Sequence, residues 1–121
     1  MNNEDFVKNI IEVVREESIT DSVEDLIDPP GRKPSSEDIE LSSWFNQLDD
    51  TDREKLIEVV KRAVDTSIFG LFAVLDGVRT IESDTNKGKL ELFYKKDENS
   101  ILLNNPKEVY LHDIFNKQIR G

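Results

Sequence analysis

The chain contains no cysteine, which excludes disulfides, a thiol nucleophile and any thiolate metal site. No apolar run approaches the roughly 20 residues that a bilayer span requires. The N-terminus also lacks an apolar signal segment, so a cytoplasmic protein is the simplest expectation. Zinc-ligand spacings, a phosphate-binding glycine loop and a Gly-x-Ser-x-Gly elbow are all missing, which lowers the case for an enzyme. Asp84-Thr85-Asn86-Lys87-Gly88 opens like a calcium loop. Its glycine falls one place early, however, and Lys95 stands where the closing glutamate is needed. Neither a metal nor a cofactor is expected.

What the chain has is negative charge, unevenly spread. Of the net −10, residues 1–52 carry 15 acids against 4 bases, and residues 53–121 carry 11 acids against 12 bases. An acidic face disfavours nucleic acid and anionic membranes and favours a basic protein partner. The plainer alternative is solubility. At 121 residues the chain is long enough for one domain with a real core.

Residues 51–78 organise the rest as one long helix. Thr51-Asp52-Arg53-Glu54 fits a capping box, and Glu58 and Arg62 are spaced for an i,i+4 pair. Leu56, Ile57, Val60, Ala63 and Val64 recur at helical spacing. From Ile68 to Leu75 the segment is apolar all round, which predicts cover on every side. Gly70 costs about 1 kcal/mol of helix propensity, which predicts a second backbone packed close to it. Gly77 is a natural left-handed residue beyond the helix end.

Residues 3–17 read as a first helix with Phe6, Val7, Ile10, Ile11, Val13 and Val14 on one stripe. Residues 18–35 read as a mobile or loosely packed connection with one capped turn at Asp21-Ser22-Val23-Glu24, stopped by Asp28-Pro29-Pro30-Gly31. Ser35-Ser36-Glu37-Asp38 opens another short helix to about Leu48. Its Trp44 and Phe45 are expected in the core, with an exposed partner anchor as the alternative. Residues 89–96 and 100–103 read as a β-hairpin with Leu90, Leu92 and Tyr94 on one face. Lys87, Lys89, Lys95 and Lys96 there read as edge protection, ahead of a nucleic-acid surface. Asn105-Pro106-Lys107-Glu108 starts the last helix, with cap, proline at N1 and acid at N3.

Two sets of candidate site residues follow. Asp76 would sit at the negative end of the long helix, an unfavourable place that Arg79 would compensate at i+3. Glu82 and His112 complete a ligand-binding candidate of Asp76, Arg79, Glu82 and His112, the plainer reading being an ion pair that fixes the helix exit and an exposed, chemically idle histidine. Asp113 beside His112 forms no dyad with it, because helix neighbours diverge by about 100°. The second candidate is a partner surface of Glu24, Asp25, Leu26, Asp28 and Trp44.

Val64-Asp65, Phe69-Gly70, Val74-Leu75-Asp76-Gly77-Val78-Arg79, the hairpin and Leu111-His112-Asp113 together resemble small uncharacterised bacterial α+β proteins over roughly the last 70 residues. That resemblance implies no site residues. In size and acidity the chain also resembles immunity proteins of bacterial toxin systems. The expected fold is α+β: three or four helices packed around one long central helix and a small antiparallel hairpin. The leading expected function is a non-enzymatic module, immunity- or adaptor-like, binding a basic protein through residues 18–52. The alternatives are a small-ligand or catalytic domain at the helix exit and a structural homodimer subunit.

Overall fold

A computed structural model describes all residues, 1–121, and the fold is α+β. In chain order the elements are α1 (Asn3–Ile10), a π-helical segment (Ile11–Glu16), α2 (Glu17–Ile27), α3 (Ser36–Gln47), α4 (Asp50–Leu75), β1 (Phe93–Lys96), β2 (Asn99–Leu102) and α5 (Leu111–Arg120). None of the helices is long and apolar enough to cross a membrane. The chain divides into two compact units, one of residues 1–14 with 66–121 and the other of residues 15–65.

The first unit is built on an apolar core. Val7, Phe72, Leu111, Ile114 and Phe115 are buried together, with Phe6, Ile10, Ile68, Phe69, Leu75 and Ile119 packed around them. Phe72 meets Phe6 and Phe115 edge-on at 6.2 and 5.7 Å between ring centres, the arrangement that ring quadrupoles prefer. Asn2 caps α1 by accepting from the Asp5 amide. β1 and β2 pair antiparallel, Phe93 with Leu102 through Lys96 with Asn99. The turn rests on Asp97, whose φ of 56° is a left-handed conformation that aspartate tolerates better than most residues.

Three expectations about this unit change. The hairpin is shorter than its sequence pattern, so Lys87 and Lys89 lie before β1 and do not guard a strand edge. The last helix begins at Leu111, because Asn105 closes only one turn, accepting from the Lys107 amide with its side chain and from Glu108 with its carbonyl. At α4 the C-terminal half is not covered on every side, since Leu71 is 60% exposed while Gly70, Phe72 and Ala73 are buried.

The second unit pairs α2 with α3. Ile19 and Phe45 are its buried apolar residues and Ser42 its buried polar one. α2 runs on to Ile27, where a connection was expected from residue 18. The extra turns are held at their C-terminal end from α3. There Ser42 Oγ and Asn46 Nδ2 both donate to the Ile27 carbonyl, at 3.2 and 3.0 Å, satisfying a helix end that would otherwise need water. Ser35 caps α3 by accepting from the Asp38 amide. α4 is capped by Asp49, two residues before the expected Thr51, through the Asp52 amide at 2.8 Å. Glu58 and Arg62 form their i,i+4 pair.

The first helix does not run straight through residues 3–17. Ile10, Ile11, Val13 and Val14 form a β-branched cluster with poor helix propensity, and a π-helical segment occupies residues 11–16. Widening the turn shifts the helix phase. Val13 and Val14 are consequently exposed and absent from the apolar stripe, and Arg15 and Ile19 turn inward. Arg15 grips Asp65 with two hydrogen bonds, Nε to Oδ1 at 2.5 Å and Nη2 to Oδ2 at 3.1 Å. That hydrogen-bonded carboxylate holds the guanidinium pKa above its ordinary value against the opposing effect of burial. The pair joins the first and last residues of the second unit.

Candidate functional site at the exit of the long helix

α4 ends in a Schellman motif. The Val78 amide donates to Ala73 O and the Gly77 amide to Val74 O, with Gly77 at φ 79°. This geometry requires a left-handed residue, which glycine supplies without a Cβ penalty. Asp76 is therefore the C-cap, and its carboxylate, 1% exposed, faces a helix end of its own sign.

Compensation comes from α5, not from Arg79. Asp76 Oδ1 accepts from the Leu111 amide at 3.0 Å, and Oδ2 accepts from the His112 amide at 2.9 Å. The carboxylate thus caps the N-terminus of α5 from 35 residues away, where the helix dipole favours an anion. Tyr110, the residue in the N-cap position, makes no side-chain cap. His112 Nδ1 lies 2.6 Å from the same Oδ2. The imidazole stands edge-on to Phe69, 5.3 Å between ring centres, and is tilted against Tyr110.

His112 is accordingly not the exposed, idle histidine expected, because its side chain is only 13% exposed. A carboxylate on Nδ1 fixes the ring orientation and leaves Nε2 as the outward nitrogen, the arrangement of the base and its orienting acid in nucleophilic catalysis. Here Nε2 faces Asp113 Oδ1 at 3.4 Å, an acid and not a nucleophilic hydroxyl. The pair's evident work is to join the end of α4 to the start of α5.

Beside it lies an open cleft of about 670 Å³ whose walls include Asp76, Arg79, Glu82, Lys87 and Lys89. Glu82 turns back on its own loop, accepting from the Gly88 amide at 2.7 Å. Arg79 makes no ion pair with Asp76. Its guanidinium folds over α4, and a Cβ on Gly70 would lie 2.5 Å from Nη1. Gly70 is therefore approached by a side chain where a second backbone was expected. No group of three His, Asp or Glu side chains is placed to hold a metal ion.

Asn104 is the residue that sequence reasoning missed. It is buried, donating from Nδ2 to Leu75 O at 2.6 Å and to Leu90 O at 2.9 Å while accepting from the Leu92 amide. One side chain thus ties the last carbonyl of α4 to the segment that enters β1 and forms one wall of the cleft. Its only sequence signal is a polar residue directly after the apolar run of β2.

The other candidate surface lies in the second unit. Glu24, Asp25 and Asp28 are exposed and Leu26 is half-buried. Trp44 is 49% exposed, correcting its expected place in the core, whereas Phe45, expected there too, is buried. The two are adjacent on a helix, so burying one rotates the other away by about 100°. No known protein family, curated protein or solved structure matches the chain.

Proposed function

We propose that the chain is a non-enzymatic protein-binding module, of immunity or adaptor type, that takes a basic partner on α2 and α3. The carrying observation is that these two helices hold seven carboxylates and no lysine or arginine, yet leave Trp44 half exposed. Leu41, also exposed, stands three residues before Trp44 and shares its face. Exposed Ile27 ends α2, where its carbonyl is held by α3. Tryptophan is the residue most enriched among interface hot spots, and a surrounding acidic field steers a cationic partner.

The acids are also badly placed for the isolated chain. Glu24 and Asp25 lie in the last turn of α2, which has no base, and Asp28 is its C-cap. Each faces the negative end of the dipole at a cost of about 0.3–1 kcal/mol, and cationic side chains of a partner would remove that cost.

The test is capture from the protein's own cell lysate at low and moderate salt, with three baits: wild type, Glu24→Gln/Asp25→Asn/Asp28→Asn, and Trp44→Ala. A basic protein is expected on wild type at low salt, released at higher salt and lost with either variant. Half of the Trp44 side chain is buried, so its removal should cost on the order of 1–3 kcal/mol, and thermal unfolding of each bait is measured beside capture so that a partner lost from folded bait reports binding and not unfolding. Equal retention on all three baits would overturn the proposal.

A further inference from the structure

We propose that the cleft at the exit of α4 binds a small amphipathic organic anion, with its head on Arg79, Lys87 and Lys89 and its apolar body on Val78, Ile81 and Leu90. The charge arrangement carries the argument. All three residues line the cleft and none forms an ion pair; the Arg79 guanidinium, which rests over Gly70, is the far end of a flexible chain and swings to the head group on binding. The two acids of the same lining are already engaged, Asp76 by the amides and imidazole of α5 and Glu82 by the Gly88 amide. In a chain of net charge −10, unpaired cations gathered around one concavity run against the surrounding field.

The walls supply the second half of the specificity. Val78, Ile81 and Leu90 are 54, 70 and 46% exposed, and they line the same cleft as the cations. Burying such surface yields roughly 25 cal/mol per Å², which inorganic phosphate alone would not gain. The volume of about 670 Å³ falls within the ~300–1,000 Å³ typical of small-molecule sites. Arginine adds planar, forked donors that match a carboxylate or a phosphate.

The experiment is an amide chemical-shift titration of the full chain with four eight-carbon probes (octanoate, octyl phosphate, octanol and octylamine) and with inorganic phosphate. Octanoate and octyl phosphate are expected to shift amides in residues 74–90 and 104–105, the tighter of the two naming the head group. Octanol, octylamine and inorganic phosphate should bind at least about tenfold more weakly. The variant Arg79→Gln/Lys87→Gln/Lys89→Gln should weaken octanoate by about tenfold or more, whereas Lys95→Gln, on β1, should leave it unchanged. Equal affinity for octanol, shifts confined to residues outside the cleft, no shifts at millimolar probe, or wild-type affinity in the triple variant would each overturn the proposal. A capture experiment on α2 and α3 reads a different surface, so the two proposals fail independently.

Discussion

The two units stabilise themselves by different means. The unit of residues 1–14 and 66–121 buries one apolar cluster of Val7, Phe72, Leu111, Ile114 and Phe115, with Phe72 edge-on to two other phenylalanine rings, and carries a nearly balanced charge, eleven acids against nine bases. The unit of residues 15–65 carries fifteen acids against seven bases and fully buries few side chains. It relies on polar clasps instead: Arg15 on Asp65, Ser42 and Asn46 on the Ile27 carbonyl, and Arg53 donating to Asn46 O while lying over the Phe45 ring. Even there Arg53 Nε is buried without a partner, a cost that a well-satisfied core does not carry. Charge available for recognition thus accumulates where apolar burial is thinnest.

The sharpest way to break that comparison is to delete one ring from each unit. Phe115→Ala should cost about 3–5 kcal/mol, since the ring is fully buried among other apolar side chains that cannot collapse into its place. Phe45→Ala should cost less, about 2–3 kcal/mol, because Arg53 stacks on the ring and can follow it. Amide exchange read residue by residue separates the two: Phe45→Ala should speed exchange in α2 and α3 and spare α5. Equal acceleration of α5 would show that the two units do not open independently.

Next in size is Asp76, where the first unit uses a buried charge in place of apolar packing. Asp76→Ala strips the amides of Leu111 and His112 of their acceptor and leaves the imidazole unpaired, an expected loss of about 2–4 kcal/mol. Asp76→Asn keeps one carbonyl oxygen for the cap and should lose only about 1–2 kcal/mol. Chemical denaturation of the three proteins checks this ranking. If the asparagine variant were as unstable as the alanine one, the charge, and not the hydrogen-bond acceptor, would be what α5 requires.

Sequence reading succeeded where structure is made by neighbours in the chain. The caps at Ser35 and Gly77, the Glu58–Arg62 pair and the hairpin each depend on residues within a few positions of one another. It failed where a polar side chain serves a distant backbone. Arg79 is the local partner for Asp76, and only the packing of α5 shows that amides 35 residues away are available instead. The extension of α2 through Thr20, Asp21 and Ser22 runs against residue propensity. The hydroxyl and amide of Ser42 and Asn46, on another helix, hold its end. Asn105-Pro106 carries every local signal of a helix start, yet the chain makes one turn there. The stronger cap at Leu111 belongs to Asp76, which no window around residue 105 contains.

The smallest expected effect concerns Gly70, the point where α4 and the cleft-lining Arg79 meet. Alanine there should gain up to about 1 kcal/mol of helix propensity. The new methyl would stand 2.5 Å from Arg79 Nη1, an impossible separation, so one of the two must move. Arg79 is exposed and makes no ion pair, and the colliding atom is the far end of a flexible chain. The guanidinium should therefore swing outward and leave most of the propensity gain in place. Thermal unfolding of Gly70→Ala is expected to show a small stabilisation. A loss of about 1 kcal/mol or more would instead mean that Arg79 supports the end of α4 from its place over Gly70, where a cation interacts favourably with the last carbonyls of a helix. The arginine would then be part of the first unit's framework, and its head-group role in the cleft would have to be filled by Lys87 and Lys89 alone.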